Sequence, residues 1–178
     1  MQFGNDTACA LRAAVALVNA AEPPVTMTTV GELDAFFDEH DYTGRHDHTQ
    51  QELAEVLALQ PRLRSLLLAD RDTAAGLIND VLAEARAVPR LVRHAPEDWH
   101  IHAMPDDAPL ATRILVETAV AMIDVVRDDE HDRLSVCSDA SCNGLVLDLT
   151  RNRSRQYCST TCTNRNAQIA HRARRRAH

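Results

Sequence analysis

The chain has 178 residues, 45% of them hydrophobic, with five glycines and seven prolines, a composition that excludes collagen-like, low-complexity and disordered chains. It contains no lysine, and its 19 arginines against 26 acidic residues give a formal net charge of -7. That charge is uneven: residues 1–136 hold 11 arginines and 24 acidic residues, a net of -13, whereas residues 137–178 hold eight arginines and two aspartates, a net of +6.

One Trp, two Tyr and three Phe leave the core to aliphatic side chains, which favours packed helices. The first apolar stretch, with Cys9, Val15, Leu17 and Val18 among alanines, reads as a core helix stopped by Pro23 and Pro24. Cys9 is expected to be a buried small hydrophobe there. Thr29 with Glu32 forms a capping box that opens a helix over about Val30 to Glu39, and Thr49 with Glu52 repeats the signal before Leu53, Val56 and Leu57. Pro61 kinks or restarts that helix, Leu63, Leu66 and Leu67 continue it to about Ala69, and a fresh start near Asp72 or Thr73 runs to Ala85.

The period then changes. Leu91 to His94 and Trp99 to His102 read as two short strands around the turn Ala95 to Asp98, with Trp99 expected to be partly buried against the next helix. That helix carries Leu110, Ile114, Leu115, Thr118, Met122, Ile123 and Val126 on one face and ends at the acidic cluster Asp128 to Asp132, which marks the expected domain boundary. The fold class is therefore mainly α with a small β-hairpin: a helical N-terminal domain over residues 1–132 and a small module over 133–178.

The stretch Ala8 to Ala21 lacks the basic flank and unbroken apolar run of a secretory signal, and no run is long enough to cross a bilayer. A cytoplasmic protein is expected, where clustered cysteines are more often metal ligands than disulfides. Four of the five cysteines fall close together, as Cys137 and Cys142, then Cys158 and Cys162. Two pairs can supply the four soft ligands that a structural zinc ion takes at tetrahedral corners. The second pair suits the first turn of a helix capped by Ser159, which puts both sulfurs on one face. Unliganded or redox cysteines are the competing reading. So small and polar a module would take its folding free energy from the metal, one structural zinc ion per chain.

The segment Leu134 to Arg176 resembles the CGNR zinc-finger family. The resemblance rests on Cys137 and Cys142, on Leu145-Val146-Leu147-Asp148, on the run Thr150-Arg151-Asn152-Arg153-Ser154-Arg155, on Tyr157-Cys158-Ser159, and on Cys162-Thr163-Asn164-Arg165 in place of the signature itself. Thr163 replaces the signature glycine, Val146 stands at a usual aromatic, and Ala167 stands near a usual lysine. The preceding helices, hairpin and long helix look like the ABATE domain found ahead of this finger. The resemblance implies a bacterial transcription regulator whose finger meets double-stranded DNA; a small-molecule or protein effector at the acidic N-terminal domain is expected beside it, a homo-oligomer is left open, and no membrane partner is expected.

Eight arginines are the candidate nucleic-acid contacts: Arg151, Arg153, Arg155, Arg165, Arg172, Arg174, Arg175 and Arg176. Arg165, Arg172 and Arg176 fall within about 20° of one line on a helix, a face that neutralises phosphates and reads guanine edges. Arg165 is expected to read a base or to brace the finger. A solvated basic tail, or one docked on the acidic domain, stays open as another reading. The functional alternative is a protein-interaction module with a purely structural finger and no DNA contact. His40, His46 and His48 in one loop and His100 and His102 on one strand could form a second metal or ligand site but are read as exposed histidines, and Asp148 and Asn164 are read as hairpin or helix-capping groups. Without a phosphate loop, nucleophile elbow or zinc-hydrolase motif, no enzyme is expected.

Overall fold

Alanine, leucine and valine at helical spacing make helices wherever a cap can start them, and six such helices precede the cysteines in a computed structural model that describes residues 3–93 and 99–176. They are α1 (Asn5–Asn19), α2 (Val30–Glu39), α3 (Gln50–Leu57), α4 (Gln60–Leu68), α5 (Arg71–Glu84) and α6 (Leu110–Asp128). The mainly helical class read from composition holds. Helix α2 carries its full capping box, with Thr29 and Glu32 each satisfying the other's backbone N–H. At α3 only half of the box forms: Thr49 Oγ1 accepts from the Glu52 N–H, while the Glu52 carboxylate turns to the preceding loop. Pro61 sits in the first turn of α4, where its missing N–H costs nothing. Helix α5 starts earlier than the spacing predicts, because Asp70 accepts from the N–H groups of Asp72 and Thr73.

Helix α6 is the hub. Leu110, Ile114, Val116, Ala119, Met122 and Val125 are fully buried along it, and it packs against α1, α3, α4 and α5. Two antiparallel hairpins complete the chain: β1 (Arg90–Val92) with β2 (His100–His102), and β3 (Leu134–Val136) with β4 (Leu145–Leu147). The expected first hairpin is present, but its turn, Ala95 to Asp98, and His94 lie outside the described residues. A last helix, α7 (Thr160–Arg176), follows.

Two expectations fail. Trp99 is 63% exposed rather than packed on α6, because the hairpin turns Leu91, Trp99 and Ile101 to solvent. Cys9 is exposed as well, on the outer face of α1. Trp99→Ala is therefore expected to change stability by no more than about 0.5 kcal/mol, and the wild-type emission should be that of a solvated indole. Thermal melts of both proteins and a fluorescence spectrum check it.

The acidic cluster after α6 is not a free linker. Asp129 ends α6 in the left-handed conformation, a single 3₁₀ turn follows at His131–Arg133, and buried Glu130 holds the Arg133 guanidinium at 2.7 Å. Strand β3 starts at once, and Leu134, Leu145 and Leu147 bury themselves in the same core as the helices. Asn19, the last residue of α1, completes the join: its Nδ2 donates to the Leu145 carbonyl at 2.9 Å and its Oδ1 accepts from the Leu145 N–H at 2.6 Å. The side-chain amide thus pairs with β4 as another strand would.

Candidate functional site

The four clustered cysteines reach one point from three local structures. Cys137 follows β3, Cys142 closes a turn that starts at Asp139, and Cys158 and Cys162 flank the start of α7. Ser159 caps that helix as the spacing predicts, with its Oγ accepting from the Cys162 N–H at 3.2 Å. All four Sγ atoms lie within 4.8 Å of one another. The Cys142–Cys158 and Cys158–Cys162 separations are 3.5 and 3.8 Å. A tetrahedral zinc ion with Zn–S bonds of about 2.3 Å has sulfurs roughly 3.8 Å apart, close to these two separations, so the donor set and its spacing suit that ion.

The surroundings favour thiolates held by a cation. The Cys158 N–H points at Cys137 Sγ and the Gly144 N–H at Cys142 Sγ, both at 3.4 Å, the kind of donor that stabilises sulfur-borne negative charge. Burial, followed by hydrogen bonds among the sulfurs, pushes the Cys158 thiol well above its ordinary range, whereas at Cys137 burial is outweighed by donors led by the Cys158 N–H and the thiol lies below its ordinary value. Gly144 packs closely against the cluster: a Cβ there would stand 3.0 Å from Cys158 Sγ and 3.2 Å from Asn19 Oδ1, so any side chain would have to push these neighbours back by a few tenths of an ångström.

Asp139 organises the module, and sequence reasoning missed it. It is 4% exposed and accepts from the Ser141 N–H at 2.9 Å, Ser141 Oγ at 2.7 Å, Arg165 at 3.1 Å and Asn166 Nδ2 at 2.8 Å. The Ser141 hydrogen bonds lead in holding its carboxyl below the usual range. Its position between Cys137 and Cys142, where an Asx turn suits a ligand loop, was the available signal. Asp148 does the same for the arginine-rich turn, accepting from Thr150 N–H at 2.8 Å, Thr150 Oγ1 at 2.6 Å and Arg155 N–H at 2.6 Å. Burial works against its charge, and these bonds overcome it, leaving the carboxyl below its usual value. The capping role read for Asp148 holds, while Asn164 is simply exposed on α7.

The eight arginines separate into two groups. Arg165 turns inward to Asp139 and Ser141, Arg153 pairs with Glu130 at 2.6 Å, and Arg155 donates to the carbonyls of Tyr157 and Cys158. Those three are exposed to solvent all the same; Arg151, Arg172, Arg174 and Arg175 are exposed and have no partner among the described residues, and Arg176 ends the helix. Every described side chain of α7 beyond Asn166 is exposed, so the helix projects past the module with arginine as its dominant side chain.

Residues 11–129 match the ABATE family, described as "Putative stress-induced transcription regulator", over two thirds of the 178 residues. The chain belongs to the ABATE family. Residues 133–175 match the CGNR zinc finger, which takes in all four clustered cysteines and nearly all of α7, while α2 to α6 lie inside the ABATE match. A comparison with curated proteins finds no match. Both family assignments agree with the resemblance drawn from the finger's motifs and from the order of the N-terminal elements. Among the described residues of this ABATE protein no helix is long and apolar enough to cross a membrane.

Proposed function

We propose that this ABATE protein is a cytoplasmic transcription regulator and not an enzyme. In this reading residues 1–132 form the acidic domain that receives an effector or partner, and residues 133–178 form the finger that meets double-stranded DNA. Cys137, Cys142, Cys158 and Cys162 hold one structural zinc ion, which leaves no coordination position for a substrate. The observation that carries the reading is the projecting end of α7, whose exposed Arg172, Arg174 and Arg175 extend from a module of net positive charge. Arg151, Arg172, Arg174, Arg175 and Arg176 are assigned to phosphate contact. Arg165, Arg153 and Arg155 brace the module instead, each spent on a partner inside the protein.

The test uses the full zinc-loaded chain and a labelled duplex over a range of salt. Each phosphate contact releases counterions, so log K should fall against log salt with a slope near -0.9 per contact. Arg172→Ala should make that slope shallower by about one unit without changing sequence preference. Selection from a random DNA pool then identifies the operator. If the chain binds no duplex at low salt, where the electrostatic contribution is greatest, the reading fails and a protein-interaction module replaces it.

A further inference from the structure

His46 is not the exposed loop histidine that the sequence suggests. Its side chain is 6% exposed, and its ring stacks on Phe37 with centroids 4.5 Å apart. Nδ1 lies 2.7 Å from Glu52 Oε2, a buried carboxylate oxygen that also accepts from the N–H groups of Asp47 at 2.8 Å and His48 at 3.0 Å. Such a carboxylate fixes the imidazole tautomer: Nδ1 carries the proton, and the Nε2 lone pair faces the other way. Nε2 is buried and makes no directed hydrogen bond, yet Asp34 Oδ1 stands only 2.8 Å from it. Two such atoms at that separation repel each other unless a positive charge, a proton on Nε2 or a bound cation, offsets them. His48 Nδ1 lies 2.9 Å from the same Asp34 oxygen, and the three ligand atoms lie within 4.8 Å of one another.

We infer that Asp34, His46 and His48 form a second metal site, for a divalent first-row transition ion, with Glu52 as the carboxylate that orients His46. Two imidazoles and one carboxylate are the donor set of such ions. Metal bonds of about 2.0–2.2 Å at right angles place neighbouring ligand atoms roughly 3 Å apart, close to the two separations here. Three protein ligands leave positions open to water or to a bound anion, unlike the closed cysteine cluster. The loop is also built in advance of any ion. The Arg45 N–H donates to the Asp106 carbonyl at 2.7 Å, and the Arg113 guanidinium on α6 holds the carbonyls of Thr43 and Arg45. Gly44, at φ +81°, allows the close approach, since a Cβ would stand 2.5 Å from the Asp106 oxygen. The site therefore links α2, the loop and α3 to the hub helix, and it gives the N-terminal domain a ligand of defined chemistry.

The experiment saturates the cysteine cluster of the full chain with zinc and then titrates cobalt(II), counting both metals per chain and recording the absorption spectrum. One further cobalt per chain is expected, with zinc retained and with weak bands free of thiolate-to-cobalt charge transfer. His48→Ala removes an exposed ligand and leaves the core intact, and Asp34→Asn removes only a charge, so each should weaken cobalt binding at least tenfold while the fold survives. Glu52→Gln should weaken it by about 10–100-fold through loss of the orienting carboxylate. The proposal is overturned if no cobalt binds beyond the zinc, if cobalt enters only with thiolate charge transfer, or if His48→Ala and Asp34→Asn leave the second equivalent unchanged. None of these outcomes depends on DNA binding.

Discussion

Cys158→Ser is expected to abolish tight metal binding at the cysteine cluster and to lower the melting temperature of the helices as well as of the finger. The first effect follows from the ligand set. Structural zinc contributes about 10–16 kcal/mol of apparent binding free energy in isolated fingers, and four thiolates supply it together. The second follows from the shared core. Leu134, Leu145 and Leu147 are buried with α1 and α4 rather than in a separate finger core, so a finger that loses its fold uncovers part of the helical core. The domain boundary read at Asp128 to Asp132 would instead leave the helices intact when the finger unfolds. Metal content together with the far-ultraviolet melting curve decides the matter. Unchanged zinc affinity would remove Cys158 from the ligand set, and an unchanged helical melt would remove the coupling.

The sequence showed the finger more clearly than it showed the attachment of the finger. Paired cysteines and a capping serine are local signals, and the geometry of one helical turn carries them directly into the structure. The same holds for α2, whose capping box gives both ends of the argument within four residues. What stayed hidden is non-local. Asn19 meets Leu145 across 126 positions, and the Arg165–Asp139 pair spans 26, so neither pairing has any period or motif to announce it. Trp99 misled for a related reason. A lone tryptophan is usually the largest core residue available, but a hairpin of two three-residue strands turns this one to solvent along with Leu91 and Ile101. The histidine loop was legible as composition and illegible as a site, since Asp34 comes from the preceding helix and Glu52 had been assigned to a capping box that forms only in part.

Strand β4 is where these two levels can be separated by mutation. Residues alternate across a strand, and Leu145 and Leu147 face the helices while Val146, between them, packs with Cys137 and Cys162. Leu145 is 1% exposed, so Leu145→Ala should cost about 2–5 kcal/mol of global stability, since it deletes core contacts and leaves a cavity. Its zinc affinity, measured well below the melting temperature, should change little because the sulfur side of the strand is untouched. Val146→Ala should do the reverse in kind: a smaller loss of global stability, with a measurable increase in the rate at which a chelator removes the metal, because the buried methyl groups that shield two of the four sulfurs are gone. Denaturant unfolding and chelator-exchange kinetics on the two variants give four numbers. If Leu145→Ala loosens the metal as much as Val146→Ala does, the strand does not insulate the two faces, and the finger and the helices form a single cooperative unit down to the ligand shell.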